Sequence, residues 1–187
     1  MEQHEKIHTL ISTFHAIFSS YFSIQFIFNN IDNKYFRTSL LISLAYFIVD
    51  LCYILKKMNN RNRKHTIQMV SHHILPIFIV SGKYLFGFLE HELFDYIISI
   101  LFTSEITTLP LNICWYLNKQ GKTNNILYKI SAFSLIILYI PFRIVNNSFV
   151  LFYILYLNQY QYLIPQIVLT YLNFNWFYKL LKKYKQE

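Results

Sequence analysis

Six long apolar runs dominate this sequence and leave few ways for it to fold. They cover residues 7–28, 36–55, 67–89, 93–117, 126–146 and 162–181. Each is close to the ~20 apolar residues that an α-helix needs to cross a bilayer. A segment in hydrocarbon must satisfy its own backbone hydrogen bonds, so runs of this length predict helices. The sequence therefore predicts an all-α polytopic membrane bundle of six transmembrane helices.

Composition favours one membrane domain over residues 1–187. Of the 187 residues, 55% are hydrophobic and only 14% are charged, which is more apolar surface than one soluble core of this size can bury. We find no internal repeat and no low-complexity tract. A shorter apolar stretch at 149–160 either prolongs the fifth helix beyond Pro141 or lies as a short helix at the membrane interface.

The lysine and arginine residues predict the orientation of the bundle. With six crossings, most of the 17 positive residues fall on one side, and the acidic residues Glu90, Glu92 and Asp95 fall on the other. Positive residues accumulate on the cytosolic side or its organelle equivalent, so both termini are expected there. Because the net charge of +8 is distributed between apolar runs, it favours a role in topology and argues against nucleic-acid binding.

Several polar residues lie inside the apolar runs. Counting ~1.5 Å per residue from the positive side places six of them roughly 8 to 18 Å deep; these are His15, Asp50, His72, His73, Glu105 and Asn173. Polar groups at such depth usually face the inside of a bundle and mark a functional site. We therefore expect these residues to form one polar cluster beside a cavity that holds a lipid or acyl chain.

The adjacent pair His72 and His73 provides the best catalytic candidates. Imidazole can act as acid, base, nucleophile or metal ligand near neutral pH. Neighbours on a helix point ~100° apart, so at most one of the two can face a given cavity while the other bonds to a neighbouring helix. The catalytic residues themselves stay unknown at this point.

The other polar residues have structural alternatives. Asp50 and Glu105 each need a partner or a proton inside hydrocarbon, and a pair with a histidine would supply one. His15 is expected to hydrogen-bond to another helix. The spacing of these groups matches no compact ligand motif, so neither a metal nor a cofactor is expected.

Two residues are expected at an interface rather than in the cluster. Arg143 lies ~26 Å along its helix from the positive side, where Asp95, Glu92 or a lipid phosphate could pair with it. Trp176 is expected at an interface because aromatic residues are enriched there. Cys52 and Cys114 fall inside apolar runs and are expected as small core residues, not as a disulfide.

A series of short motifs, ordered along nearly the whole chain, matches a known family. They are Ser12, His15 and Ala16; Tyr46, Phe47, Asp50 and Leu51; His72 and His73; Glu105 with 107–112; Phe142 and Arg143; and Asn173 with 175–177. In these motifs the chain resembles the TLC-domain family, which includes ceramide synthases, translocation-associated membrane proteins and smaller lipid-homeostasis proteins. The resemblance implies membrane lipids as partners and a place in the endoplasmic reticulum.

The resemblance is incomplete at the residues of ceramide synthesis. In ceramide synthases the paired histidines and an acidic pair further on are tied to acyl transfer from acyl-CoA onto a long-chain base. The resemblance carries the histidines to His72 and His73 and the closing glutamate to Glu105. A His-Asp pair and a second Asp are expected before that glutamate, but those three positions hold apolar residues, Ile97, Ile98 and Leu101. Acidic or imidazole groups that could substitute lie about one turn earlier, at His91, Glu92 and Asp95.

The resemblance therefore implies a small TLC-domain protein that binds lipid or acyl chains and supports lipid homeostasis without ceramide synthase activity. Two alternatives stay open. The first is an accessory subunit of a larger membrane complex, for example in the mitochondrial inner membrane, with other subunits as partners. The second is an acyltransferase in which His72 or His73 is the reacting group.

Overall fold

The computed structural model describes residues 3–29, 32–58, 63–86 and 92–184, and over these residues it contains helices and no strand. The first three helices are α1 (Gln3–Asn29), α2 (Asn33–Lys56) and α3 (Arg63–Phe86). The Asp32 side chain caps α2 by accepting a hydrogen bond from the Lys34 amide at 2.9 Å. Such a cap satisfies one of the amides that the first turn of a helix leaves free.

The fourth long helix changes its pitch in the middle. It consists of α4, a 3₁₀ segment and α5, which cover Glu92–Phe102, Thr103–Thr107 and Thr108–Lys119. After α5 the amide of Lys122 donates to the carbonyl of Leu117 at 2.9 Å, and Gly121 adopts φ 69°. This is a Schellman motif, in which glycine fits because it has no Cβ to clash in the left-handed conformation.

The fifth long helix contains a π-helical segment. It consists of α6, the π segment and α7, which cover Ile126–Tyr139, Ile140–Val145 and Asn146–Tyr156. Pro141 lies at the start of the π segment; proline has no amide to donate and its ring clashes with the preceding turn, and the wider turn accommodates it. The apolar stretch after Pro141 thus prolongs the fifth helix to Tyr156. A 3₁₀ turn at Tyr160–Tyr162 then leads into α8 (Leu163–Tyr184).

The predicted all-α fold is confirmed, and the described residues contain six long helices in the predicted order. Four are long and apolar enough to cross a membrane: Gln3–Asn29, Lys34–Lys56, Phe94–Lys119 and Ile126–Tyr156. α3 and α8 are of similar length to α2 but are not among these four. Their crossing of the membrane, and the side on which the termini lie, stay predictions. The end of the third predicted run, 87–89, lies outside the described residues.

Contacts between side chains bring three lysines to one end of the bundle. The Nζ atoms of Lys57, after α2, and Lys119, at the end of α5, lie 3.4 Å and 3.9 Å from the Glu5 carboxylate in α1. Lys179 in α8 donates to Gln68 near the start of α3 at 2.9 Å. We call this end of the bundle, with Lys57, Lys119 and Lys179, the lysine end. The start of α1 and the end of α8 both lie at the lysine end.

An apolar core fills the other part of the bundle. Phe36, Leu40, Val80 and Val150 are fully buried. Phe36 and Leu40 lie near the start of α2, which is the opposite end of that helix from Lys57. The polar site therefore lies between the lysine end and this core.

The expectation that both cysteines are core residues is wrong for Cys52. Cys52 is exposed, Cys114 is half-buried, and both are free thiols. Ile48, Val49 and Leu55 are also exposed on α2, so Cys52 belongs to the outward face of that helix. An apolar run in a membrane helix includes residues that face lipid as well as residues that face the core.

Candidate functional site

His72 and His73 point in different directions from α3. His73 is buried, and its Nε2 atom lies 3.0 Å from Oδ2 of Asp50 in α2. His72 instead lines an internal cavity, and its ring lies edge-on to Trp176 of α8 with 5.1 Å between ring centroids. The prediction that one histidine faces a cavity while the other bonds to a neighbouring helix is confirmed.

Asp50 contacts two histidines that belong to two different helices. Its Oδ2 atom faces His73, and its Oδ1 atom contacts Nε2 of His8 in α1. The His8 side chain is 32% exposed, whereas that of Asp50 is only 5% exposed. The His8 ring stacks on Tyr53 with 4.0 Å between centroids. Hydrogen bonds to both oxygens stabilise a buried carboxylate, because its charge has lost contact with water.

His15 lies beside this group without hydrogen-bonding to it. Its ring stacks on Tyr46 with 3.8 Å between centroids. Both ring nitrogens are buried and have no hydrogen-bond partner among the described residues, so aromatic stacking replaces the expected hydrogen bond to another helix. His15 still interacts electrostatically with Glu105, His73 and Asp50, which places it at the edge of the cluster.

The cavity next to His72 is lined by both polar and apolar side chains. Its polar lining consists of His72, Ser104, Glu105, Asn147 and Asn173. Its apolar lining includes Phe47, Pro76, Ile98 and Leu169. The volume is about 30 Å³, enough for about two water molecules. The cavity can therefore take the polar end of a ligand, whereas an acyl chain would have to lie between helices.

Arg143 lies inside the bundle, so its predicted position at the far interface is wrong. The side chain is 5% exposed. Its Nε atom donates to Oγ1 of Thr107 at 2.6 Å, and its Nη1 atom donates to Oδ1 of Asn173 at 3.4 Å. Asp95, one of its expected partners, lies 3.6 Å from Arg37 instead. The side chain of Glu92, another expected partner, lies outside what the structure describes.

The depth of Arg143 was misjudged because the count assumed an upright, regular helix. The helix from Ile126 to Tyr156 has 31 residues, which at ~1.5 Å each is far longer than the ~30 Å hydrocarbon layer. A helix of this length tilts. Its π segment also changes the direction of the side chains that follow.

Thr108 links the two buried charges of the site. Its hydroxyl donates to Oε2 of Glu105 at 3.0 Å and accepts from Nη2 of Arg143 at 3.3 Å. Tyr139 adds a neutral contact, since its hydroxyl donates to Oδ1 of Asn173 at 3.4 Å. Charges without partners are expensive inside a protein, and here one hydroxyl separates the carboxylate from the guanidinium.

Sequence reasoning missed several residues of this site, although some left a signal. His8 lies seven residues before His15, which places both on one face of α1. Asn147 follows Arg143 by four residues and donates to its carbonyl at 2.8 Å. Gln166, fully buried, donates to the carbonyl of Asn147 at 3.0 Å. The irregular turns that bring Thr107 and Thr108 to Arg143 left no signal in the hydropathy pattern.

The remaining predicted residues are placed as follows. Trp176 is half-buried with one edge against His72, and its position at a membrane interface stays a prediction. His91, a possible substitute for the ceramide synthase acids, lies outside the described residues. Within the parts of the chain that the structure describes, no group of three or more histidine, cysteine or acidic residues could hold a metal ion.

The helices and the site together define a polytopic membrane bundle with a buried polar cavity. A family model described as the TLC domain matches residues 7–182. The chain therefore belongs to the TLC-domain family, as its motifs predicted, and is a multi-pass membrane protein of this lipid-related family. Searches of curated proteins and of solved structures gave no match.

Proposed function

We propose that this protein binds a membrane lipid or acyl compound, with the polar end of the ligand in the cavity, and so supports membrane lipid homeostasis. The observation that carries the proposal is the mixed polar and apolar lining of the cavity. Ligand sites typically combine apolar walls with a few placed polar groups. Here His72, Glu105 and Asn173 supply hydrogen-bonding groups beside apolar side chains such as Phe47 and Leu169.

The same site favours binding over ceramide synthesis. The positions at which the resemblance predicts a His-Asp pair hold Ile97 and Ile98, which are 5% and 0% exposed. Both side chains belong to the apolar core. Neither position therefore carries the imidazole or the carboxylate that the resemblance associates with ceramide synthesis.

Access to the cavity is proposed between α3 and α8. Two contacts close this seam: the His72 ring lies against Trp176, and Lys179 bonds to Gln68. α3 packs mainly against α2 and α8, so it can move away from α8 while it stays attached to α2. The acyl chain of a ligand would then lie between α3 and α8, with its polar end beside His72.

Native mass spectrometry of the full chain in a mild detergent tests this proposal. The variant Leu169→Phe enlarges a side chain that lines the cavity, and Ile167→Phe makes the same kind of change at an exposed position of α8. We expect retained lipid in the wild type and in Ile167→Phe, and a loss of about tenfold or more in Leu169→Phe. Wild-type protein without lipid, or equal retention in both variants, would contradict the proposal.

Acyl transfer is the second candidate, and it rests on the position of His72. This imidazole lines the same cavity as Glu105, so it could act there as a base or as an acyl carrier. His73 is held by Asp50 and would serve as a positioning residue. Loss of transfer from an acyl-CoA in His72→Ala would support this function. Normal transfer in both His72→Ala and His73→Ala would exclude it.

A further inference from the structure

The contacts of Asp50 connect the lysine end of the bundle to its buried interior. His8 lies in the second turn of α1 and is partly exposed, and its Nε2 atom contacts Oδ1 of Asp50. The other oxygen, Oδ2, lies 3.0 Å from Nε2 of His73, whose side chain is 6% exposed. Three groups that can each gain or lose a proton therefore form one continuous hydrogen-bonded chain from the surface inwards.

We propose that His8, Asp50 and His73 form a proton path between the lysine end and the buried cavity. Each oxygen of the Asp50 carboxylate contacts one histidine, so both oxygens are part of the path. A neutral amide at this position could fix the helices but could not pass a proton. The assignment of a transport role to His8 depends on its being both partly exposed and bonded to a buried acid.

The inner end of the path is open. Nδ1 of His73 is buried and has no hydrogen-bond partner among the described residues, and the same is true of Nδ1 of His72. The two rings lie edge-on with 5.4 Å between centroids. His72 lines the cavity and His73 does not, so we assign to His72 the acceptance of a proton that leaves His73.

The transfer conserves protons. It starts with a proton shared between Oδ2 of Asp50 and Nε2 of His73. One proton arrives from water at Nδ1 of His8, and the proton on Nε2 of His8 moves to Oδ1 of Asp50. The shared proton settles on Nε2 of His73, and His73 releases the proton of Nδ1 inwards. One proton has entered and one has left, and rotation of the rings and the carboxyl restores the starting arrangement.

Other ionisable groups face this path from every neighbouring element. They are His15 on α1, Tyr46 and Tyr53 on α2, His72 on α3, Glu105 on the 3₁₀ segment and Arg143 on the π segment. Glu105 and Arg143 have opposite charges, so they offset each other at the inner end. The rings of Tyr46 and Tyr53 stack on His15 and His8 and form walls beside the path.

Exchange of histidine ring protons with water, measured by NMR on the full chain in nanodiscs, tests the inference. His15 is the internal reference, because it is as buried as His73 but has no hydrogen-bond partner among the described residues. We expect the Nε2 proton of His73 to exchange about tenfold faster than any ring proton of His15, since only His73 is connected to a partly exposed group.

The variant His8→Phe keeps a ring to stack on Tyr53 and removes both nitrogens. We expect exchange at His73 to slow by about tenfold, towards the rate of His15. His4→Phe, at an exposed position one turn earlier, should leave the rate unchanged. Faster exchange at His15 in His8→Phe would show that α1 no longer packs as in the wild type. In that case the comparison of His73 with His15 in the wild type decides whether the path exists.

Two results would overturn the path: a wild-type His73 that exchanges no faster than His15, and an unchanged His73 rate in His8→Phe. The inference uses the site of the proposed function but not its ligand. A protein that retains no lipid but shows the His73 exchange would lose the proposed function and keep the path.

Discussion

Arg143 donates a hydrogen bond of 2.6 Å to Thr107, and neither residue belongs to a regular α-helix. Arg143 lies in the π segment of the fifth long helix, and Thr107 ends the 3₁₀ segment of the fourth. The two irregular segments therefore meet at the site. A π turn and a 3₁₀ turn rotate side chains away from their α-helical directions, and π turns inside helices are frequent at functional sites.

Replacement of Arg143 should strongly destabilise the protein. Arg143→Met removes the cation that Thr108 links to Glu105 and leaves the Glu105 carboxylate buried without compensation. Leaving buried polar groups without hydrogen-bond partners typically costs about 1–3 kcal/mol, and more for charged groups. Thermal unfolding in nanodiscs should therefore show a clear decrease in the midpoint relative to the wild type.

The double variant Arg143→Met, Glu105→Gln distinguishes the effect of charge on stability from the effect of packing. It should recover part of the stability that Arg143→Met loses, because the uncompensated carboxylate is gone. Lys129→Met is the matched control, since Lys129 is an exposed cation on the same long helix. Equal midpoints for Arg143→Met and Lys129→Met would show that the buried contacts of Arg143 are not important for stability.

Asn173 should contribute to the stability of the folded protein through its side-chain oxygen. Oδ1 accepts from Arg143 and from Tyr139, both at 3.4 Å. Asn173→Leu has a similar volume but leaves both donors short of a partner, which should cost about 1–3 kcal/mol. Phe174→Leu, at the neighbouring exposed position, should cost less. Denaturation of the two variants side by side checks the order, and the opposite order would refute it.

Alkaline pH should weaken one contact at the lysine end. Tyr53, and with a smaller effect Glu5, raises the pKa of Lys57 above its ordinary value of 10.5. A lysine whose pKa is raised on folding contributes its full stabilisation of the folded state below its ordinary pKa of 10.5. This contribution is lost as the pH rises through the pKa of the folded state.

The comparison with Lys57→Met checks this expectation. The midpoint difference between wild type and variant should be constant up to about pH 9 and should shrink as the pH approaches about 12. Since Lys57 is 41% exposed, its whole contribution should stay below about 1 kcal/mol. A difference that grows with pH would contradict the expected direction.

The side of the membrane that each end faces can be measured with single cysteines. In a chain with Cys52→Ser and Cys114→Ser, we expect Lys57→Cys and Lys182→Cys to react with an impermeant maleimide from the same side. Arg37→Cys should react only from the other side. This result follows from six crossings. If Lys182→Cys and Arg37→Cys react from the same side, the predicted topology is wrong.

The fold could be predicted from sequence because length and apolarity of a run determine whether a helix can cross a membrane. Only the end of the fifth helix stayed open, since the apolar stretch at 149–160 allowed two interpretations. A π turn allows a helix to continue through a proline, and hydropathy does not record it. The helices were otherwise found in the correct number and order.

The site could be predicted only in part. Asp50, His73 and Glu105 were found because a polar group in an apolar run is conspicuous wherever the helix lies. Arg143 was placed wrongly because its depth was counted along one straight axis, and tilt and irregular pitch change the position of a side chain without any change in composition. His8 was missed because it lies near the end of a helix. A histidine at such a position can face water, so it gives no sign of a buried partner.

The small, closed cavity sets the kinetics that ligand exchange should follow. Since it holds only about two water molecules, and since Trp176 lies against His72, the proposed lipid would enter or leave when α3 and α8 separate. The opening step then limits the rate. At high ligand concentration the observed association rate should level off at the opening rate, and residence times should be long even where the affinity is modest.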